Sequence, residues 1–170
     1  MSVKSKPRTG GPTVLLRADH PTGANAGRVL GRLARRYLRE LGMAESEISI
    51  LVVTDAQIKR LNRLWRKRDE ATDVLSFPNE GPVPPGAGRC LGDVVISLDT
   101  ARRRARSESQ PIAKELALYL AHGLLHLLGH DHHRPREARR MARAERRLLG
   151  AAGLLGRPAA TSRSRARPRE

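Results

Sequence analysis

The sequence predicts one domain in which short strands alternate with helices, and three observations carry that expectation. At 170 residues the chain suits a single core and leaves little room for a second. Apolar runs of strand length, such as Ile48 to Val53 and Leu91 to Leu98, alternate with stretches whose apolar residues recur every three or four positions. Hydrophobic residues make up 39% of the chain but aromatics only 2%, so Leu, Val, Ile and Ala must build the core around Tyr37, Trp65, Phe77 and Tyr119.

Residues 1–12 are polar and rich in Gly and Pro, and read as a disordered leader. Thr13 to Leu16 is a short strand candidate. From Asn25 to Leu41 the residues Val29, Leu30, Leu33, Tyr37, Leu38 and Leu41 keep helical spacing, and Gly42 ends that helix. The run Ile48 to Val53 is a strand. Thr54 then opens a helix, with Gln57 completing a capping box, and Ile58, Leu61 and Trp65 follow. Val74 to Phe77 is a strand closed by Pro78. The next eleven residues, 79–89, hold three Pro and three Gly and must be a loop. Leu91 to Leu98 is a further strand, with Asp99 as the expected cap of a short helix beyond it. Pro111 suits the first turn of a helix that runs to about Leu128, where Gly129 stops it. A last helix begins near Pro135 and carries Met141, Leu148 and Leu149 inward. Residues 156–170, with Arg157, Arg163, Arg165, Arg167 and Arg169, read as a disordered Arg-rich tail with almost nothing to bury.

The charge speaks to partners. With 33 basic and 17 acidic residues the net charge is +16, which points to a polyanion, nucleic acid ahead of an anionic membrane surface. The scarcity of aromatics argues against recognition by base stacking. Cys90 is the only cysteine, so neither an internal disulfide nor a thiolate metal cluster within the chain is possible, in keeping with a reducing cytoplasm. No apolar run resembles a signal peptide or is long enough to span a bilayer, so a cytoplasmic protein without a membrane partner is expected.

Five of the six histidines fall between His122 and His133. His122 and His126 are four residues apart on a predicted helix, a separation that turns the chain by about 400° and puts both rings on one face. Gly129 lets the chain reverse, which can bring back His132 as a third ligand. Three neutral imidazoles leave one tetrahedral position open, the pattern of a catalytic zinc ion. The spacing also fits the extended zinc-peptidase motif, except that Gly123 stands where those enzymes carry their general-base Glu. Peptide hydrolysis thereby loses its proton acceptor. A second element is Arg66-Lys67-Arg68-Asp69 followed by Thr72 to Pro78, in which Arg66 at a helix end could clamp a phosphate.

These two stretches, with Leu91 to Ser97 between them, resemble the YbeY family of bacterial ribosomal-RNA maturation endoribonucleases. Ile50 to Asp73 resembles that family's strand, helix and Arg-containing turn, and Glu137, Met141 and Glu145 match its closing helix. The resemblance spans residues 13–155. It implies an α+β domain with a small mixed sheet and a metal-binding helix at its centre, one Zn2+ held by His122, His126 and His132, and Arg66 as the functional arginine. Arg68, beside it, is expected to touch the nucleic acid with Arg66, although family members often carry Lys there. His130 stands where many members have Tyr, which adds a titratable group beside the metal.

The implied activity is a single-strand-specific metallo-endoribonuclease. Its partners would be ribosomal RNA and the small ribosomal subunit, in 3′ end maturation of small-subunit RNA, ribosome biogenesis and ribosome quality control. Activated water and the ribose 2′-OH both remain open as nucleophile, and Asp93, His130, Asp131 and His133 as proton carriers. Asp131 could instead orient a ligating imidazole. Arg136, Arg139, Arg140, Arg143 and Arg147 form one stripe on the last helix, expected to contact RNA. The rival reading is a non-enzymatic, basic ribosome-assembly protein whose metal only stabilises the fold.

Overall fold

The computed structural model describes residues 10–83 and 88–155; the expected leader up to Thr9, part of the loop and the Arg-rich tail lie outside them. Four strands form one sheet: β1 (Thr13–Ala18), β2 (Glu47–Val53), β3 (Val74–Pro78) and β4 (Cys90–Ser97), in spatial order β1-β2-β4-β3. β1 runs parallel to β2 and β2 parallel to β4, whereas β3 lies antiparallel along β4. The parallel pair β1 and β2 needs a crossover, which α1 (Ala24–Glu40) supplies. Helices α2 (Asp55–Arg66), α3 (Leu98–Ser107), α4 (Ile112–Leu127) and α5 (Pro135–Ala151) complete the chain. The fold is the α+β class with a small mixed sheet.

Strand alternation splits the apolar residues between two faces. Ile48, Ile50, Val52, Val94 and Ile96 face α1, α4 and α5, where they meet Leu30, Tyr37, Leu120, Leu124 and Met141 in the main core. Val53, Leu75 and Val95 face the other way, against Ile58 of α2. α4 is the most enclosed helix. Leu116, Leu120, Leu124 and Leu125 are fully or almost fully buried, each contributing about 1.5–3 kcal/mol by leaving water.

α4 can lie this close to the sheet because of Gly123. A Cβ there would stand 2.8 Å from Val94 Cγ1 and 3.2 Å from Val74 Cγ2. The position that carries Glu in zinc peptidases is here a packing contact with no room for a side chain.

Local signals mostly hold. Thr54 and Gln57 form the expected capping box on α2. Met141, Leu148 and Leu149 are buried. Two expectations change. β1 extends to Ala18, its pairing with β2 outlasting its apolar residues. Ser97, not Asp99, caps α3, its hydroxyl accepting from the Thr100 N–H at 3.2 Å. Asp99 sits in the first turn and instead accepts from the N–H of Asp55 at 2.9 Å, serving the start of α2. Among the described residues no helix is long and apolar enough to cross a membrane.

Candidate metal centre

His122 and His126 leave α4 on one face, one turn apart, with ring centroids 4.7 Å apart and Nε2 atoms 3.1 Å apart. α4 then ends, and Gly129 takes a left-handed φ of 83° that few other residues adopt without strain. The Gly129 N–H donates to the His126 carbonyl and the His130 N–H to the Leu125 carbonyl, each at 3.0 Å, so the chain folds back. The Asp131 carboxylate steadies the returning segment by accepting the backbone N–H groups of His132 at 2.6 Å and His133 at 3.3 Å. Those bonds, the His132 N–H first, hold the Asp131 carboxyl below the usual carboxylate range. Asp131 thus holds backbone, and the ring it approaches is that of His133, whose Nε2 lies 3.5 Å from Oδ1, not one of the three clustered imidazoles.

The result is a cluster. The His132 ring lies 5.7 Å from that of His122 and 5.1 Å from that of His126, centroid to centroid. One ring nitrogen from each of the three lies within 4.8 Å of the others, so the set could hold a metal ion. A tetrahedral ion with nitrogen bonds of about 2.0–2.1 Å keeps its ligands about 3.3–3.4 Å apart. The His122–His126 spacing is already close to that value, and the exposed His132 is the member that must close in. Burial first, and then the neighbouring His122 and His132, push the His126 pKa below the ordinary histidine value. It is therefore neutral at neutral pH, as a ligand must be.

Two arginines line the cleft beside this cluster. Arg66 is the last residue of α2, and Lys67 follows with a left-handed φ of 59°. Its N–H and that of Arg68 both turn back to the Asn62 carbonyl. The buried Asn62 amide donates to the Glu70 carbonyl at 2.9 Å, bracing the same turn from inside. Arg66 donates to the Ser76 carbonyl at 3.4 Å, and Arg68 stands 4.0 Å from Glu70. Both arginines line one cleft of about 760 Å³ with His122, His126 and His132.

Other candidates divide. His130 and His133 line that cleft as well, and burial followed by the charge of Arg140 lowers the His130 pKa. Asp93 does not reach it: it lines a separate groove with Leu15 and Phe77 on the far side of the sheet. Arg147 is drawn out of the basic stripe by Glu40, its Nε donating to the carboxylate at 2.8 Å. Glu145, which the sequence marks only as a match to the closing helix, joins the site, its Oε1 lying 2.7 Å from His122 Nδ1. The signal was available. Glu145 is a carboxylate on the inward stripe of α5, four residues after Met141 and three before Leu148.

Known proteins share this arrangement of sequence. The family model described as Endoribonuclease YbeY matches residues 23–153. An Endoribonuclease YbeY of Anaeromyxobacter sp. (strain Fw109-5) is 60% identical over 144 residues, covering 85% of this chain and 74% of that protein. The Endoribonuclease YbeY of Myxococcus xanthus is 52% identical over 152 residues; the match covers 88% of this chain but 51% of that longer protein. In three dimensions, the solution structure of TM1509 from Thermotoga maritima shares the fold, with a TM-score of 0.55 at 21% identity over 83% of this chain and 92% of that one. A match of this extent settles the kinship: the chain belongs to the endoribonuclease YbeY family.

Proposed function

We propose that this protein is a zinc-dependent endoribonuclease that cuts single-stranded RNA. In this reading it matures the 3′ end of small-subunit ribosomal RNA and serves ribosome biogenesis and quality control in the cytoplasm, in contact with the small ribosomal subunit. One observation carries the reading: three imidazoles able to hold a metal and two arginines line the same cleft, in a chain whose relatives are named endoribonucleases. Residues 13–155 form the working domain.

His122, His126 and His132 would hold the ion, which would supply Lewis acidity toward a phosphoryl oxygen and could activate water near neutral pH. Arg66 offsets the charge that develops on the phosphate during cleavage. Arg68, lining the same cleft, binds a neighbouring phosphate. His130 and His133 are the groups in the cleft able to move a proton at an imidazole nitrogen. Arg136, Arg139, Arg140 and Arg143 on α5 extend the basic surface beyond the cleft, so RNA affinity falls steeply with salt. Gly123 supports RNA over peptide as substrate, because the carboxylate that peptidase chemistry needs has no place to stand.

The test incubates ribosomal RNA with wild type and a folded His126→Ala variant purified in parallel. Cleavage by wild type alone is the expected result, and equal cleavage by both would overturn the reading. Product ends then identify the nucleophile: a 2′,3′-cyclic phosphate marks attack by the ribose 2′-OH.

A further inference from the structure

His122 has two ring nitrogens, and each has a different neighbour. Nε2 points at His126 Nε2, 3.1 Å away, inside the histidine cluster. Nδ1 points the opposite way, to Glu145 Oε1 at 2.7 Å. A carboxylate oxygen accepts hydrogen bonds, so in the neutral ring this contact favours the tautomer with its proton on Nδ1 and its lone pair on Nε2, the atom that faces the cluster. The pair is partly screened from water, with the Glu145 side chain 19% and the His122 side chain 35% exposed. In the described residues no carboxylate hydrogen-bonds to the ring of His126 or His132.

We propose that Glu145 is the positioning residue of the metal centre, fixing the tautomer and ring orientation of His122 so that Nε2 is its metal donor. The proposal rests on the metal-binding reading given above. Its structural basis is that Glu145 is placed by core packing and not by the ligand turn. It rides on α5 with Met141 and Leu148, both buried against α1 and α4. The metal centre therefore spans three segments: α4, the turn after it, and α5. Release of the carboxylate frees the ring to rotate and to exchange tautomers, and both changes weaken coordination. Outer partners of this kind are worth about 10–100-fold in metal affinity.

The experiment measures zinc affinity of the full chain by competition with a chromophoric chelator, together with the melting temperature of the metal-free protein. Glu145→Ala is expected to bind zinc about 10–100-fold more weakly than wild type. Glu145→Gln, whose amide oxygen still accepts from Nδ1–H, recovers most of that loss. In a His122→Ala background, Glu145→Ala produces no further loss, because its effect passes through His122. Glu145→Leu fills the same space without an acceptor and replaces the Ala variant should that one not fold.

Wild-type-like affinity in Glu145→Ala would overturn the proposal. So would an equal loss with and without His122, which would mark a general effect on folding. Wild type binding zinc no better than His126→Ala would instead remove the metal reading itself.

Discussion

Among the described residues two histidine rings hydrogen-bond to a carboxylate, His20 to Asp99 and His122 to Glu145, and the two pairs do opposite things. In the first, His20 Nε2 lies 3.0 Å from Asp99 Oδ1, and His20 Nδ1 accepts the Thr22 N–H at 3.1 Å. Asp99 Oδ2 takes the Asp55 N–H. Asp55 Oδ1 accepts from the Ser97 hydroxyl at 2.6 Å and the Thr100 hydroxyl at 2.8 Å, while Arg103 holds Oδ2. Every oxygen and ring nitrogen has a partner, and the network ties the ends of β1, β2 and β4 to α2 and α3. In the second, Glu145 occupies one nitrogen of His122 and leaves the other facing His126 and His132 across an open cleft. The functional groups are the same, an imidazole beside a carboxylate. A closed set of partners makes structure, and an open set, with donors converging on space, makes a site.

Substitutions on the two sides should separate cleanly, beginning with the open pair. If the proposed ion acts in cleavage, His126→Ala is expected to lower RNA cleavage on the order of 1,000-fold, since the several kcal/mol of charge stabilisation that ion would supply go with it. Bound zinc, measured by elemental analysis, should disappear while the metal-free melting temperature stays near wild type. Full cleavage without zinc would break the contrast from the functional side.

Arg66→Ala should follow at about 100-fold or more, the usual effect of removing one donor from developing charge. Its zinc content should remain that of wild type. A loss of zinc along with activity would show that Arg66 acts on the fold of the cleft and not on the substrate.

Gly123→Glu restores the peptidase motif in sequence, yet the expected outcome is destabilisation by about 1–3 kcal/mol or more from overpacking against Val94 and Val74. Urea unfolding reads the effect. A stable variant that cleaves casein would show that packing did not decide this position.

In the closed pair, Asp99→Ala should cost about 1–2 kcal/mol through the lost bonds to His20 and Asp55, with zinc affinity unchanged. A fall in zinc affinity would mean that the two clusters communicate.

The smallest effect is the acid limb of stability. The Asp55 N–H, ahead of the opposing effect of burial, and then His20 hold the Asp99 carboxyl below its ordinary value. For Asp55, burial works upward but is outweighed by the hydrogen bonds of Ser97, Arg103 and Thr100 and the Arg103 charge, so that carboxyl too is lowered. A folded-state pKa below the unfolded one gives stability that is present above the unfolded value of about 3.9 and is lost as pH falls through the folded one. Urea midpoints taken downward from about pH 5 should therefore drop less steeply in Asp99→Asn than in wild type. Identical slopes would rule out this carboxylate as a contributor.

The legible parts of the molecule were those governed by near neighbours. The capping box at Thr54, the end of α4 before Gly129 and the facing of His122 and His126 all arise within one or two helical turns, where spacing dictates geometry. The misreadings have the opposite character. Asp99 has the residue type of a cap, but Ser97 stands in the capping position, and the Asp99 carboxylate is taken by residues far away in the chain. Asp93 belongs to a strand whose alternation sends it to the far side of the sheet, a fact that depends on which face α4 covers.

The sequence by itself determined the elements, the basic balance, and a turn able to bring His132 back to the two helix histidines, because backbone periodicity and side-chain chemistry are local properties. Only the tertiary structure decided that Arg66 and Arg68 line one cleft with those histidines, that Gly123 is a packing contact, and that Glu145 reaches His122 from α5. Each of these joins residues separated by 23 to 66 positions or packs a helix on strands from elsewhere in the chain. Such contacts form only when the two faces of one sheet have sorted their apolar residues and fixed how the helices lie across it.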